Sequence, residues 1–222
     1  MDILKTRPAV RTVGACLPRL RADASRNRER ILTAAREVFT ESGPEAPLDE
    51  IAKRAGVGSA TLYRNFPDRT ALIRQVALFV MGRILLAAEQ WEAEVSDPFE
   101  ALRRFVLSAA DERSGALCSL LSGRVDVHRD EELLATRTRL EETVERLMER
   151  ARQAGQLRSD VGPGDLFVAL AQITRPLPGT ACVNLDSFVH RHLHLLLDGL
   201  RAPARSPLPG RASTLDDLRR PS

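Results

Sequence analysis

A chain of 222 residues with 43% hydrophobic and 28% charged content is long enough to bury a core and too apolar to stay disordered throughout. No apolar run approaches the roughly 20 residues a membrane helix needs, and the N-terminal stretch lacks the apolar core of a signal peptide, so a cytoplasmic protein with no membrane partner is expected. The formal charge of +3 is small but clustered, because Arg19, Arg21, Arg26, Arg28 and Arg30 are offset nearby by only Asp23 and Glu29, a grouping that suits phosphates or an acidic membrane.

Residues 1–22 carry Pro8, Gly14 and Pro18 without periodicity and read as a loose basic arm, whose arginines either contact DNA or simply keep it solvated. From Ser25 the pattern turns helical. Ile31, Leu32, Ala35, Val38 and Phe39 recur at three- and four-residue steps, Asp23 or Ser25 can cap the start, and Gly43-Pro44 ends the run. Pro47 opens a short second helix with Leu48, Ile51, Ala52 and Ala55 on one stripe and Gly56 at its end. A third begins at Gly58 or Ser59 and stops before Pro67. Asp68 caps a long fourth helix, where Leu72, Ile73, Val76, Val80, Ile84, Ala87 and Trp91 trace a helical face that ends before Pro98. Further helices are predicted from Pro98 to about Arg113, Gly115 to Gly123, Asp130 to Gln153, Pro163 to Thr174 and Asp186 to Leu200. Nothing reads as a strand, so the expected fold class is all-α. Residues 202–222, rich in Pro, Ser and Arg, read as a disordered tail.

Two short helices around Ala55-Gly56-Val57 have the plan of a helix-turn-helix, in which Gly56 supplies the positive φ of the sharp turn. That plan brings the N-terminal residues of the second helix to the base edges, where they must be small or hydrogen-bonding, as Gly58, Ser59, Ala60 and Thr61 are. Tyr63 and Arg64 then fall toward the groove wall, where a phenol and a guanidinium donate to phosphates. Leu62 and Phe66 point inward.

These residues resemble a known family. The stretch AAREVFTESGPEAPLDEIAKRAGVGSATLYRNFPDRTALIRQV, Ala34 to Val76, is similar to the DNA-binding domain of the tetracycline-repressor (TetR) family, sharing Phe39, Gly43, Ile51-Ala52, Ala55-Gly56-Val57, Leu62-Tyr63, Phe66 and Leu72 in order and spacing. More weakly, GQLRSDVGPGDLFVALAQI and LLLDGLRAP resemble the later helices of that family's ligand and dimer domain. The resemblance implies a three-helix DNA-binding domain over residues 23–68 and a helical ligand-binding and dimerisation domain over 69–201. It places Ser59, Ala60, Thr61, Tyr63, Arg64 and Asn65 against DNA and gives Arg69 a phosphate contact at the start of the fourth helix. Ala46-Pro47 departs from the family's frequent Thr or Ser cap, which leaves Lys53 as the basic contact of the second helix. Arg26 and Arg28 join the expected DNA contacts. Phe79, Trp91, Phe105, Met148 and Phe167 are most simply core residues, and the family's ligand cavity makes them candidates to line one. Leu166, Leu170 and Ile173 in one helix, and Phe188, Val189, Leu193, Leu196 and Leu200 in the last, are the candidate dimer stripes.

Other chemistries find little support. Cys16, Cys118 and Cys182 are far apart and odd in number, which suits reduced thiols, with a redox sensor as the alternative. His190 and His194 stand four apart on one helical face, a spacing used for zinc, but no Cys or carboxylate nearby in sequence completes a shell, so no metal and no cofactor is expected. Without a phosphate loop, a nucleophile elbow or a His-Glu-x-x-His motif, the chain is not expected to be an enzyme; Glu131-Glu132 and Glu141-Glu142 read as solvated partners of Arg137 and Arg139. The expectation is a homodimeric transcription regulator, a repressor that binds a palindromic operator in double-stranded DNA and is released by a small-molecule effector. The alternative is a DNA-binding regulator without such an effector, controlled by a protein partner or acting as an activator. A basic helical membrane-surface protein is the third class.

Overall fold

The structure is a computed structural model that describes residues 17–113, 115, 120–121, 125, 129–175 and 185–217, with backbone alone at 17–24 and 185–187. Its helices are α1 (Leu17–Ser42), α2 (Leu48–Ala55), α3 (Ser59–Asn65), α4 (Arg69–Glu94), α5 (Pro98–Asp111), α6 (Glu131–Gln153), α7 (Pro163–Ile173) and α8 (Leu185–Leu200). Among the described residues the β structure is limited to an isolated bridge between Leu157 and Arg201. The helix expected from Gly115 to Gly123 lies mostly outside the described residues.

The helix ends follow the sequence punctuation. Gly56, at φ 64, closes α2, and the Asp68, Asp97 and Asp130 carboxylates accept from Ala71, Glu100 and Leu133 N–H to start α4, α5 and α6. Ile31, Ala35 and Val38 of α1 bury against Ile51 and Ala55 of α2, Leu62 of α3 and Leu72 of α4, making a small reading head. The same core runs on without a break through α5, α6, α7 and α8.

α4 is the spine, packing on α1, α5 and α6. By length and composition it is apolar enough to cross a membrane, which corrects the sequence expectation that no segment is. Half of that apolar window is buried inside the fold, with Val76, Val80, Ile84 and Ala88 covered, so the apolarity belongs to a core helix. Ion pairs fix its register along α6: Arg74 with Asp130 and Glu132, Glu89 with Arg139 at 2.7 Å, and Glu92 with Arg146 at 3.1 Å.

Two segments expected to be loose are ordered. Helix α1 starts at Leu17, so residues 17–22 of the expected arm are helical and continue straight into the head; residues 1–16 lie outside the described residues. Residues 202–217 of the expected tail form a strap over the loop before α7. Arg158 donates to Ser206 O at 2.7 Å, Asp160 accepts from Leu208 N–H and Asp165 from Ser213 N–H, both at 3.1 Å, and Leu215 is buried. Gly162 and Gly164 let the strap in, since a Cβ on either would stand 2.2 or 2.5 Å from its carbonyl oxygens. Composition suggested disorder because the strap has few apolar groups, but two of its backbone N–H groups are satisfied by aspartates distant in the chain.

Candidate nucleic-acid interface

A seven-residue helix does not hold itself in water, so α3 depends on its neighbours. Leu62 and Phe66 are buried against α1, α2 and α4, which fixes the face that remains. Ser59, Ala60, Tyr63 and Arg64 are exposed on it, Tyr63 at 49%, while Thr61 and Asn65 are half-buried. Ser59 donates its hydroxyl hydrogen to Asp49 at 2.8 Å. Arg64 bends back to donate to Ala60 O at 3.2 Å and Thr61 Oγ1 at 3.1 Å, and Asn65 donates to Thr61 O at 2.8 Å. Lys53 is exposed on α2, and Arg26 is exposed on α1.

The other two predicted cations are used to build the head. Arg69 donates through one nitrogen to the Pro44 and Ala46 carbonyls, both at 2.7 Å, tying the start of α4 to the loop before α2. Arg28 donates to Gln75 at 2.7 Å and lies 4.8 Å from the centroid of Phe66, so it clamps α1 onto α4 and α3. Sequence reasoning did not single out Asp49, and it named Arg30 only within the arginine cluster that suits phosphates. Arg30 reaches the Gly56 carbonyl at 3.4 Å and caps the turn, and Asp49 touches Ser59 across it. Neither contact has a periodic signal, because each joins two elements, Arg30 from α1 to the turn and Asp49 from α2 to α3. Beside them Arg54 pairs with Glu41 at 2.6 Å, a hydrogen bond that raises its pKa further and keeps it cationic.

Among the described residues, those proposed for a ligand pocket lie in different parts of the core. Phe105 and Met148 are buried in the core, Met148 bordering an open groove with Glu145, Arg146 and Thr214. Trp91 donates to Ser108 at 3.0 Å beneath Arg104, Phe79 lies beneath Arg83, and Phe167 is half-buried. A cavity of about 20 Å³ under Arg36 and Glu112 is lined instead by Phe39, Val76, Val80 and Leu120.

The dimer stripes lie mostly in or beside the protomer's own core. Leu166, Leu170 and Leu193 are buried within the protomer, and Ile173, Val189 and Leu196 pack at the edge of the same core. The strongest apolar stripe of each helix is taken by the chain's own core. The large apolar side chains that α7 and α8 leave exposed are Val168, Phe188 at 53% and Leu195 at 60%. His190 pairs with Asp111 at 2.9 Å, and no group of three metal-ligating side chains occurs among the described residues.

Comparison with known proteins decides the family. Residues 31–76 match the bacterial regulatory proteins of the tetR family, and residues 97–202 match the C-terminal domain of SbtR-like transcriptional regulators. The crystal structure of the TetR transcriptional regulator SCO0520 from Streptomyces coelicolor is 36% identical, with a TM-score of 0.61 over 80% of this chain and 99% of that one. The chain belongs to the TetR family. Members are helix-turn-helix transcription regulators and not enzymes, which matches the all-helical fold with its N-terminal reading head. The TetR similarity extends to the transcriptional repressor LfrR of Mycolicibacterium smegmatis, 40% identical over 86 residues, 39% of this chain and 45% of that one. The chain thus spans about half the length of the curated relatives it matches. A structure of LfrR from Mycobacterium smegmatis in complex with proflavine is 25% identical, with a TM-score of 0.57 over 78% of this chain and 96% of that one.

Proposed function

We propose that this TetR-family chain is a cytoplasmic repressor that binds a palindromic operator in duplex DNA as a homodimer, one α3 in each half-site. Release follows when a small molecule enters the helical domain of residues 69–201. The observation that carries this reading is α3 itself: Leu62 and Phe66 hold it down while Ser59, Ala60, Tyr63 and Arg64 stay open, small groups at its start and phosphate donors further on. Two heads are needed because one contacts too little DNA, and Phe188, Leu195 and Val168 offer the surface to pair them. The LfrR complex with proflavine supports a small-molecule effector, and α4, which runs from the head to Trp91, supports a route between the two sites.

A ligand that prefers the released state weakens DNA binding, and DNA weakens ligand binding by the same factor, about 5- to 150-fold for typical coupling. Selecting bound duplexes from a random pool identifies the operator; screening then finds a ligand, which is titrated against free and operator-bound protein. Equal affinities in the two titrations rule out effector release. That result would favour a regulator without a small-molecule effector.

A further inference from the structure

Ser59 is the first residue of α3, Asp49 lies in the first turn of α2, and their side chains meet at 2.8 Å across the turn. A carboxylate at neutral pH only accepts, so the hydrogen of the Ser59 hydroxyl belongs to Asp49. The oxygen keeps its remaining lone-pair capacity for a partner outside, and both residues are exposed. The next hydroxyl is set the other way. Arg64 only donates, and it reaches Thr61 Oγ1 at 3.1 Å, which leaves Thr61 its own hydrogen to give.

From this geometry we infer that Asp49 is a specificity-determining residue: by holding the Ser59 hydrogen it makes Ser59 a hydrogen-bond acceptor toward the major groove, one that selects a base bearing an exocyclic amine. Adenine offers N6 and cytosine N4 in that groove, whereas guanine O6 and N7 and thymine O4 are acceptors and gain nothing from Ser59. Without Asp49 the hydroxyl rotates freely and serves donors and acceptors alike. The inference rests on α3 being the reading helix. It sharpens that reading, because a serine that looks tolerant in the sequence becomes selective once its proton is assigned.

The test uses the full chain and operators selected from a random duplex pool. Wild type prefers adenine or cytosine at the Ser59 position by about 2- to 10-fold, the worth of one hydrogen bond. Ser59→Ala and Asp49→Ala each lose that preference at that position alone. Comparing ratios between bases removes the general gain in affinity that loss of a carboxylate near phosphates brings. A second measurement leaves the protein untouched: purine in place of adenine, or 2-pyrimidinone in place of cytosine, removes the amine. Wild type is weakened by the same factor and Ser59→Ala is indifferent. If Asp49→Ala keeps the full preference that Ser59→Ala loses, or wild type ignores the missing amine, Asp49 does not set the polarity of Ser59. If Ser59→Ala and Ala60→Arg change no base preference anywhere, α3 is not the reader and the proposed function falls with the inference.

Discussion

Arg36 of α1 donates to the Glu112 carboxylate just past the end of α5 at 2.5 Å, joining the reading head to the helical domain through two side chains. The second oxygen of Glu112 takes Arg83 of α4 at 2.6 Å, and Glu112 is only 8% exposed. A carboxylate in that position must be held by both cations, since burial without partners is costly. Three elements therefore meet on one residue, beside the course of α4.

Glu112→Gln keeps the shape and loses the charge. We expect a lower urea midpoint at an unchanged slope, a loss of stability of about 1–3 kcal/mol, the lower end being favoured because Arg83 is half-exposed and water screens it. An unchanged midpoint would reduce the bridge to a surface pair.

The reading head was legible because its signals are local: glycines at turns, a buried stripe, and short helices between them. What the sequence hid were uses of a residue decided by distant partners. Arg28 and Arg69 have the charge of phosphate contacts, but Phe66 and Gln75 capture one and the Pro44 and Ala46 carbonyls capture the other. Leu193 lies on the best apolar stripe of α8, and for that reason the protomer's own core takes it. The strap was missed because Asp160 and Asp165, which anchor it, lie far upstream.

Exposure separates assembly from folding on α8. Leu195→Glu should give monomers of native helicity and weak operator binding, as should Phe188→Glu. Leu193→Glu should instead unfold the chain, because Leu193 is 0% exposed and a charge there has no partner. Light scattering and circular dichroism together read both effects. A native dimer carrying Leu195→Glu would move the interface to another face.

The strap should come off without unfolding the head. Gly164→Val puts side-chain atoms where the Thr214 and Ser213 oxygens lie, and Arg158→Ala removes the links to Asp160, Gly199 and Ser206. Hydrogen exchange should quicken over residues 206–215 in both variants and stay unchanged at Leu62 and Phe66. Equal protection in variant and wild type would mean that the strap's hydrogen bonds contribute nothing to its order.

Acid should loosen the fold through carboxylates held low by arginine. Hydrogen bonds from Arg103 first and then Arg104 bring Glu100 from 4.5 to about 2, against the opposing effect of burial. Arg74 likewise lowers Asp130, and Arg158 lowers Asp160. A folded pKa below the unfolded one adds stability that is complete above the unfolded value and disappears as pH falls through the folded one. Stability should therefore be insensitive to these groups above about pH 5.5 and decline from about pH 4.5 toward pH 2. Arg103→Ala should flatten that decline, and an identical acid slope in the variant would remove Glu100 from the account.

Salt dependence distinguishes cations that meet DNA from cations that build the head. Removing a cation from one phosphate lowers the slope of log affinity against log salt by about 0.9. Lys53 and Arg64 are exposed on α2 and α3, so in a homodimer, where each substitution removes two contacts, Lys53→Gln and Arg64→Gln should each reduce the slope by about 1.8 while leaving the melting temperature nearly unchanged. Arg28→Gln should do the reverse. Its guanidinium is committed to Gln75 and the Phe66 ring, so its removal should lower the melting temperature and leave the slope as it was. Arg69 combines both possibilities, since one nitrogen is held by two carbonyls and the rest of its fork is available to a phosphate. Arg69→Gln is the informative change there: it removes the charge that a phosphate needs together with the fork that holds the two carbonyls. A lower melting temperature with an unchanged slope would assign Arg69 to the loop, and a reduced slope would assign it to DNA as well.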